Sequence, residues 1–503
     1  MSNIRVTYSG LISFAIGFVS LFTGLIFTII VTRQLTQEEF GTWSLIGGLI
    51  TYVLVISPII SYWVTREIAR NEKSGRTAIF SSSIFSTFSL IAFIIIALFF
   101  SDYTGVDKNI LLLASILVPL EFFRNILMGI SHGFKPQIVE YGVLIFELTK
   151  IPLAILLVYQ YDWGITGAII SVAISYLANI MLMTILCRGE FKGKIEKRIL
   201  KKWIKLSWLP LYPNLKTTIN NSDVVIFTII SGSVEGLVFW QVARALAAVV
   251  NHSQKISKAV YPKMLSGGKN EFFQENFVRV IYFASPLLLL PIVTAKPAIF
   301  IMNPNYVEAQ IITLFLVPMI LLRTIDNVLS KTLEGKENVD LNQNATFLNY
   351  IKSRLFYLPT LSILQRISYI SLLAITLIIL SDSSTDLELV FYWTIIGFLA
   401  QIPHTIYLGM LVKKEIKPKI DLLAISKYMI SSIIIYIPFY FFLEENLVYD
   451  SDVFTFTPKF LIYVIISLLA YVGLTYLIDK KTKKMVKSIL NEVLKGKIGN
   501  GEK

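Results

Sequence analysis

One cysteine, Cys187, and three histidines, His132, His252 and His404, are all the thiol and imidazole that this chain of 503 residues carries. A single thiol excludes an internal disulfide and a thiolate metal cluster. The histidines fall in separate apolar stretches without metal-ligand spacing, so no metal site is expected. Also missing are a glycine-rich phosphate loop and a nucleophile elbow. Charged residues make up 16% of the chain, and the acidic ones are the scarcer, 33 against 46 lysines and arginines. No hydrophilic run is long enough to build a domain outside the apolar stretches. These absences are read as no enzyme active site, no metal and no resident cofactor.

What fills the chain is hydrocarbon. Hydrophobic residues make up 55%, and the mean hydropathy is +0.67 despite a net charge of +13. About fourteen stretches reach the ~20 apolar residues that cross a bilayer. The expected spans are 9–32, 41–64, 79–100, 109–132, 138–159, 165–187, 207–231, 237–258, 276–297, 309–331, 355–380, 388–411, 423–443 and 459–478. The fold class is therefore an all-α polytopic membrane protein. The first span lacks a small-residue cleavage site and is expected to stay as a helix. An even number of spans puts both termini on one side.

Charge decides which side. If the N-terminus is cytoplasmic, 34 lysines and arginines lie in inner loops and tails, and only Arg33, Lys108, Lys296 and Lys459 in outer loops. The positive-inside rule then places both termini in the cytoplasm of a multi-pass cell-membrane protein. The basic balance reads as topology, with anionic lipid headgroups as partner and no nucleic acid.

The chain repeats itself. Ile26-Phe27-Thr28-Ile29-Ile30 recurs as Ile226-Phe227-Thr228-Ile229-Ile230. Glu39, Gly41 and Trp43 follow the first copy, and Glu235, Gly236 and Trp240 the second. Pro119, Arg124 and Ile126 are matched by Pro318, Arg323 and Ile325. Halves of six spans insert the same way up, and their axis runs along the membrane normal. The expected domains are an N-terminal six-helix bundle (1–187), a basic cytoplasmic linker (188–206) and a C-terminal six-helix bundle (207–411) in pseudo-two-fold arrangement. Two appended helices (412–478) and a basic cytoplasmic tail (479–503) follow. Ile195, Ile199, Trp203 and Leu206 share a helical face in the linker, as do Val486, Ile489, Leu490, Val493 and Leu494 in the tail. Both segments read as interfacial helices.

Ionisable side chains at depth cost several kcal/mol, so they face a cavity or each other. Glu121 and Arg124, Glu147 and Lys150, and Arg323 and Asp326 stand three residues apart, close enough to neutralise one another. Lys216 and Asp223 share the most polar span, with Asn214, Asn220, Asn221 and Ser222. Arg244 and Arg366 complete a deep set of six basic and four acidic groups, net +2. Lys216, Arg244 and Arg366 have no opposite charge three or four residues away. A cavity lined by them would favour an anion, and arginine suits phosphate in particular. The pairs on spans four, five and ten serve equally as fold-holding salt bridges. The carboxylates Asp223, Glu147, Asp326 and Glu121 could instead bind a coupling proton or sodium ion, or gate, with Asp223 the best candidate. Gly10, Gly17 and Gly24 on span one read as close helix packing.

The segment Leu35-Thr36-Gln37-Glu38-Glu39-Phe40-Gly41-Thr42-Trp43 resembles the signature of the polysaccharide transporter (Wzx-type lipid-linked oligosaccharide flippase) family. So do Asn221-Ser222-Asp223, Val234-Glu235-Gly236, Ala243-Arg244-Ala245 and Tyr261-Pro262. Two departures stand out: Thr36 replaces the common glycine, and Val224 follows Asp223 where a basic residue is usual. The resemblance implies two bundles around a cavity that opens to alternate sides. It implies a polyprenyl-(pyro)phosphate-linked oligosaccharide as cargo and a cation gradient as the drive. Substrate binding is then expected at Arg244, Arg366, Lys216, Arg124, Arg323 and Lys150. A monomer is expected, with glycan-assembly enzymes as further partners. Against this stand a multidrug antiporter, which would want an acidic cavity, and a peptidoglycan-precursor flippase, which shares fourteen helices. A membrane glycosyltransferase or polymerase would need a sizeable outer loop, and a channel a filter segment.

Overall fold

The computed structural model describes residues 16, 20, 23, 24, 26–69, 72–135, 137–259, 270–337, 339, 347–450 and 452–484. Most of span one with Gly10 and Gly17, the Tyr261-Pro262 pair and the amphipathic tail at 486–494 lie outside the described residues. Among the described residues every regular element is helical. Among the described residues eleven helices are long and apolar enough to cross a membrane, and they coincide with expected spans two to six and nine to fourteen. The protein is an all-α, multi-pass membrane protein.

The chain forms two compact units, 1–245 with 359–400, and 246–358 with 401–503. In the first unit α1 (Gln37–Val53), α2 (Pro58–Ala69), α3 (Gly75–Thr104), α4 (Lys108–Ala114), α5 (Leu117–Phe134), α6 (Gln137–Ala154) and α7 (Gly164–Leu186) precede the linker helix α8 (Lys197–Lys205). The short helices α9 (Trp208–Asn220), α10 (Ser222–Ser231) and α11 (Gly236–Ala247) follow. The second unit contains α12 (Asn270–Val293), α13 (Ala295–Met302), α14 (Gln310–Glu334), α17 (Leu422–Asn446) and α18 (Val453–Ile478). The long helices α15 (Arg354–Leu380) and α16 (Asp386–Ile416) each contribute residues to both units.

Several spans that hydropathy reads as single helices are broken. Pro58 has no N–H, so the chain tightens to a 3₁₀ turn at Leu54–Ile56 before α2 starts. The freed Val53 carbonyl accepts from Ser89 Oγ at 2.8 Å. Pro119 likewise cannot bond back to the carbonyl of Ser115, and α4 ends at Ala114. Span seven breaks at Asn221, between α9 and α10, and span eight passes from α11 into a 3₁₀ stretch at Ala248–Ala259.

Inside packing is small and polar, outside packing large and apolar. On α3, Thr77, Ser81, Ser82, Ser86 and Ser89 are buried while Phe88, Ile95 and Phe99 are exposed. This reverses the soluble pattern, because lipid solvates large apolar side chains and close helix contact favours small ones. Gly129 and Gly133 on α5 show the same logic. A Cβ there would stand 2.9 Å from the Ser61 carbonyl oxygen and 2.6 Å from that of Thr65. Thr65 Oγ1 in turn donates to the Gly129 carbonyl at 2.8 Å.

The linker helix docks on Glu67. Trp203 is fully buried, and its indole N–H donates to Glu67 Oε1 at 3.1 Å. Lys202 Nζ meets the same oxygen at 3.0 Å. Ile195 falls before the helix and is exposed. In the second unit the pair α17 and α18 docks on α12 through Tyr282, Tyr428 and Tyr471.

Candidate functional site

Two of the ion pairs expected from i,i+3 spacing are formed, and aromatic rings join them. Glu147 and Lys150 on α6 meet at 2.7 Å and are buried. The Lys150 ammonium lies 4.9 Å from the Phe146 ring centre and 5.1 Å from that of Phe27. On α5, Arg124 approaches Glu121 at 3.9 Å and lies 5.0 Å from Tyr176 and 5.8 Å from Phe146. Phe146 and Tyr176 stack at 5.1 Å. The two pairs are thus one charge-balanced cluster, with two cations sharing the Phe146 ring. Ring faces carry negative potential, which offsets part of the desolvation of each cation. Ser20 Oγ donates to Glu147 Oε1 at 3.2 Å, so the cluster reaches span one.

Asp223 sits at the first turn of α10, almost wholly buried. Its Oδ2 accepts from Tyr369 Oη on α15 at 3.1 Å. Tyr369 Oη accepts from Trp393 Nε1 on α16 at 2.7 Å. Trp393 stacks between Trp240, at 4.1 Å, and Phe227, at 5.5 Å. Two members of this stack, Phe227 and Trp240, belong to the second copy of the repeat. In the first copy the corresponding rings of Phe27 and Trp43 lie 6.0 Å apart. Thr28 and Thr228 each donate to the carbonyl four residues back at 2.9 Å.

Asp326, in the second unit, is held across helices. Its Oδ2 is bonded to His404 Nδ1 at 2.6 Å and accepts from Gln401 Nε2, both on α16. All three side chains are buried. Of the remaining basic candidates, Lys216 on α9, Arg323 on α14 and Arg366 on α15 are half-buried, and Arg244 on α11 is exposed. Arg366 stands one helical turn before Tyr369, on the face that carries the Asp223 contact.

With this geometry in hand the chain can be compared with known proteins. No family model matches it, and no curated protein is similar to it. Solved structures do match. It has the fold of a lipid II flippase, MurJ, in an inward closed conformation. That likeness covers 93% of this chain and 98% of the flippase at a TM-score of 0.67 and 15% identity. An inward-facing multidrug resistance MATE family transporter of the MOP superfamily is also similar, over 79% of this chain and 95% of that one, with TM-score 0.58 and 13% identity. The chain therefore shares its fold with both of these proteins.

Sequence reasoning missed His404, Gln401, Tyr369, Trp393, Tyr176 and Phe146. One signal was available. Gln401 and His404 stand at i,i+3 on an apolar span, the same spacing that singled out the charge pairs.

Proposed function

We propose that the protein is a flippase. It carries a polyprenyl-(pyro)phosphate-linked oligosaccharide from the cytoplasmic to the outer leaflet of the cell membrane by alternating access. The observation that carries this reading is the fold shared with a lipid II flippase along nearly the whole of both chains. The Wzx-like signature around Glu39 and Gly41 and the excess of deep basic residues support the oligosaccharide cargo. Arg244, Arg366 and Lys216 hold the anionic linkage, because guanidinium and ammonium donors match phosphate oxygens. Arg124 and Lys150, each engaged by a carboxylate, hold the first unit together. Asp223, fastened to α15 and α16, couples or gates. Both termini are cytoplasmic, and the protein works as a monomer beside glycan-assembly enzymes.

The test is made in cells lacking the protein. Complete lipid-linked oligosaccharides should accumulate on the cytoplasmic face, as read with a membrane-impermeant sugar-modifying reagent on oriented vesicles. One mass spectrum of the accumulated species identifies the cargo. Unchanged lipid-linked sugars, in cells lacking any second flippase, overturn the reading in favour of a multidrug antiporter. Arg244→Ala, Arg366→Ala and Lys216→Ala should each abolish translocation in folded protein, and normal transport by all three overturns the site.

A further inference from the structure

Asp326, Gln401 and His404 are 6%, 0% and 8% exposed, and the carboxylate takes two bonds on one oxygen only. Asp326 Oδ1 and Gln401 Oε1 are buried and accept no hydrogen bond from the protein. An anionic oxygen and an amide oxygen buried without a donor are costly, since each forfeits the hydration it would have in water. A positive charge delivered to this group removes that cost. The partners are a carboxylate and an imidazole in direct contact, so the charge fits as one proton taken up from the surrounding water and held by the pair. No group of three or more His, Cys, Asp and Glu side chains able to hold a metal ion occurs among the described residues.

The group also sits at a special place on α16. The division between the compact units falls between Ala400 and Gln401, and Pro403 lies inside the helix there. Proline removes a backbone hydrogen bond and makes this turn easier to bend. Asp326 grips α16 on either side of that proline, through Gln401 and His404.

We propose that Asp326, Gln401 and His404 form a proton-binding latch that fastens α16 to α14 at Pro403. Gain or loss of one proton changes the charge of the Asp326–His404 contact by one unit and so its grip on α16. The elements against α14 carry other charges. Arg323 is one turn away on α14 itself. The 3₁₀ stretch Ala248–Ala259 contributes His252, and α12 contributes Glu271, Glu275 and Arg279. Arg279 and Glu275 pair with each other at 3.6 Å. Proton binding at the latch stands independently of the cargo. Its use as the coupling step rests on the flippase reading.

The experiment is a pH-difference infrared titration of the purified full-length protein in lipid nanodiscs, with no substrate present. The wild type is expected to show carboxyl and imidazole signals changing together in one step. Asp326→Asn and His404→Gln should each abolish that step. Gln401→Leu keeps both titrating groups and should displace the step by roughly one pH unit, about tenfold in proton affinity. If either of the first two variants fails to fold, the wild type and Gln401→Leu still decide. A wild-type step unmoved by Gln401→Leu overturns the latch. The same difference spectrum raised by sodium at constant pH overturns the proton as ligand. Because the readout needs no transport, failure here leaves the flippase reading untouched, and failure of that reading leaves a confirmed latch standing.

Discussion

Gly41 lies directly against the backbone of Val234: a Cβ at Gly41 would stand 2.1 Å from the Val234 carbonyl oxygen. This contact joins the first signature segment to the turn that follows the second copy of the repeat. Neighbouring bonds reinforce it. Tyr52 Oη and Ser222 Oγ are 2.5 Å apart, and Tyr103 Oη donates to the Ile229 carbonyl at 2.9 Å. Backbone cannot swing aside as a side chain can, so Gly41→Ala must part α1 from the 232–236 turn. Translocation is expected to fall at least about tenfold, the effect of a barrier change near 1.4 kcal/mol. Gly47→Ala, where a Cβ meets nothing within 4 Å, should keep full activity. A thiol placed by Ser233→Cys should become more reactive to an impermeant reagent when Gly41→Ala is added. Cys187, the single native cysteine, is buried and gives little background.

Tyr369 links a carboxylate to an indole inside one hydroxyl. Tyr369→Phe removes a donor from Asp223 and leaves the buried Trp393 N–H without its acceptor. The expected cost is about 1–3 kcal/mol, most of it from the stranded N–H. Thermal unfolding in detergent reads the loss, and in a double-mutant cycle with Trp393→Phe the two losses should sum to more than the loss in the double variant, because that variant strands no N–H. Strictly additive losses would show that the bond from Trp393 contributes nothing.

Helix existence was legible because a bilayer demands about twenty apolar residues in a row, and that demand is local. Helix breaks were less so. Hydropathy marks where the chain crosses, and the breaks follow from Pro58, Pro119 and the Asn220-Asn221 pair, whose effects depend on which neighbour satisfies the freed carbonyl. The i,i+3 pairs Glu121/Arg124 and Glu147/Lys150 were legible for the same local reason. Their union through Phe146 and Tyr176 was not, since nothing in one helix tells which ring the next will bring. Asp326 shows the limit most clearly. Its visible partner was Arg323, three residues away, yet the structure bonds it to His404, 78 positions along the chain. Glu39 was read as part of a family signature. In the structure it completes a capping box with Thr36 and also accepts from the Ile165 N–H at 3.2 Å, fastening α7 to α1.

Glu67 holds the linker helix by a single oxygen that receives both Lys202 and Trp203. Glu67→Gln keeps the size but removes the charge, weakening a charge-assisted bond to each partner. The expected result is release of α8, read as faster proteolysis after the lysines and arginine at 192–205 and a red shift of Trp203 emission. Lys202→Gln alone should leave Trp203 in place, because the indole bond does not need the ammonium. Protection of the linker unchanged by Glu67→Gln would show that apolar burial of Trp203 is sufficient to dock it.

Asp421 closes α17 at its N-terminus, accepting from the Ala424 N–H at 3.0 Å and from Lys481 Nζ at 2.6 Å. The hydrogen bond from Lys481, and then that from Ala424, hold its carboxyl below the ordinary carboxylate range. A carboxyl lowered in this way stabilises the folded state above the unfolded-state pKa of about 3.9, and the contribution disappears as pH falls through the lower folded value. Asn caps a helix as well as Asp does, so Asp421→Asn removes the charge and keeps the cap. The wild type should therefore melt above Asp421→Asn by a constant margin from pH 7 to about pH 5, and the margin should close below about pH 4. High salt should shrink the same margin at neutral pH, because Lys481 is exposed and its attraction is screened. A margin that survives at low pH would assign the stabilisation to the cap and not to the ion pair.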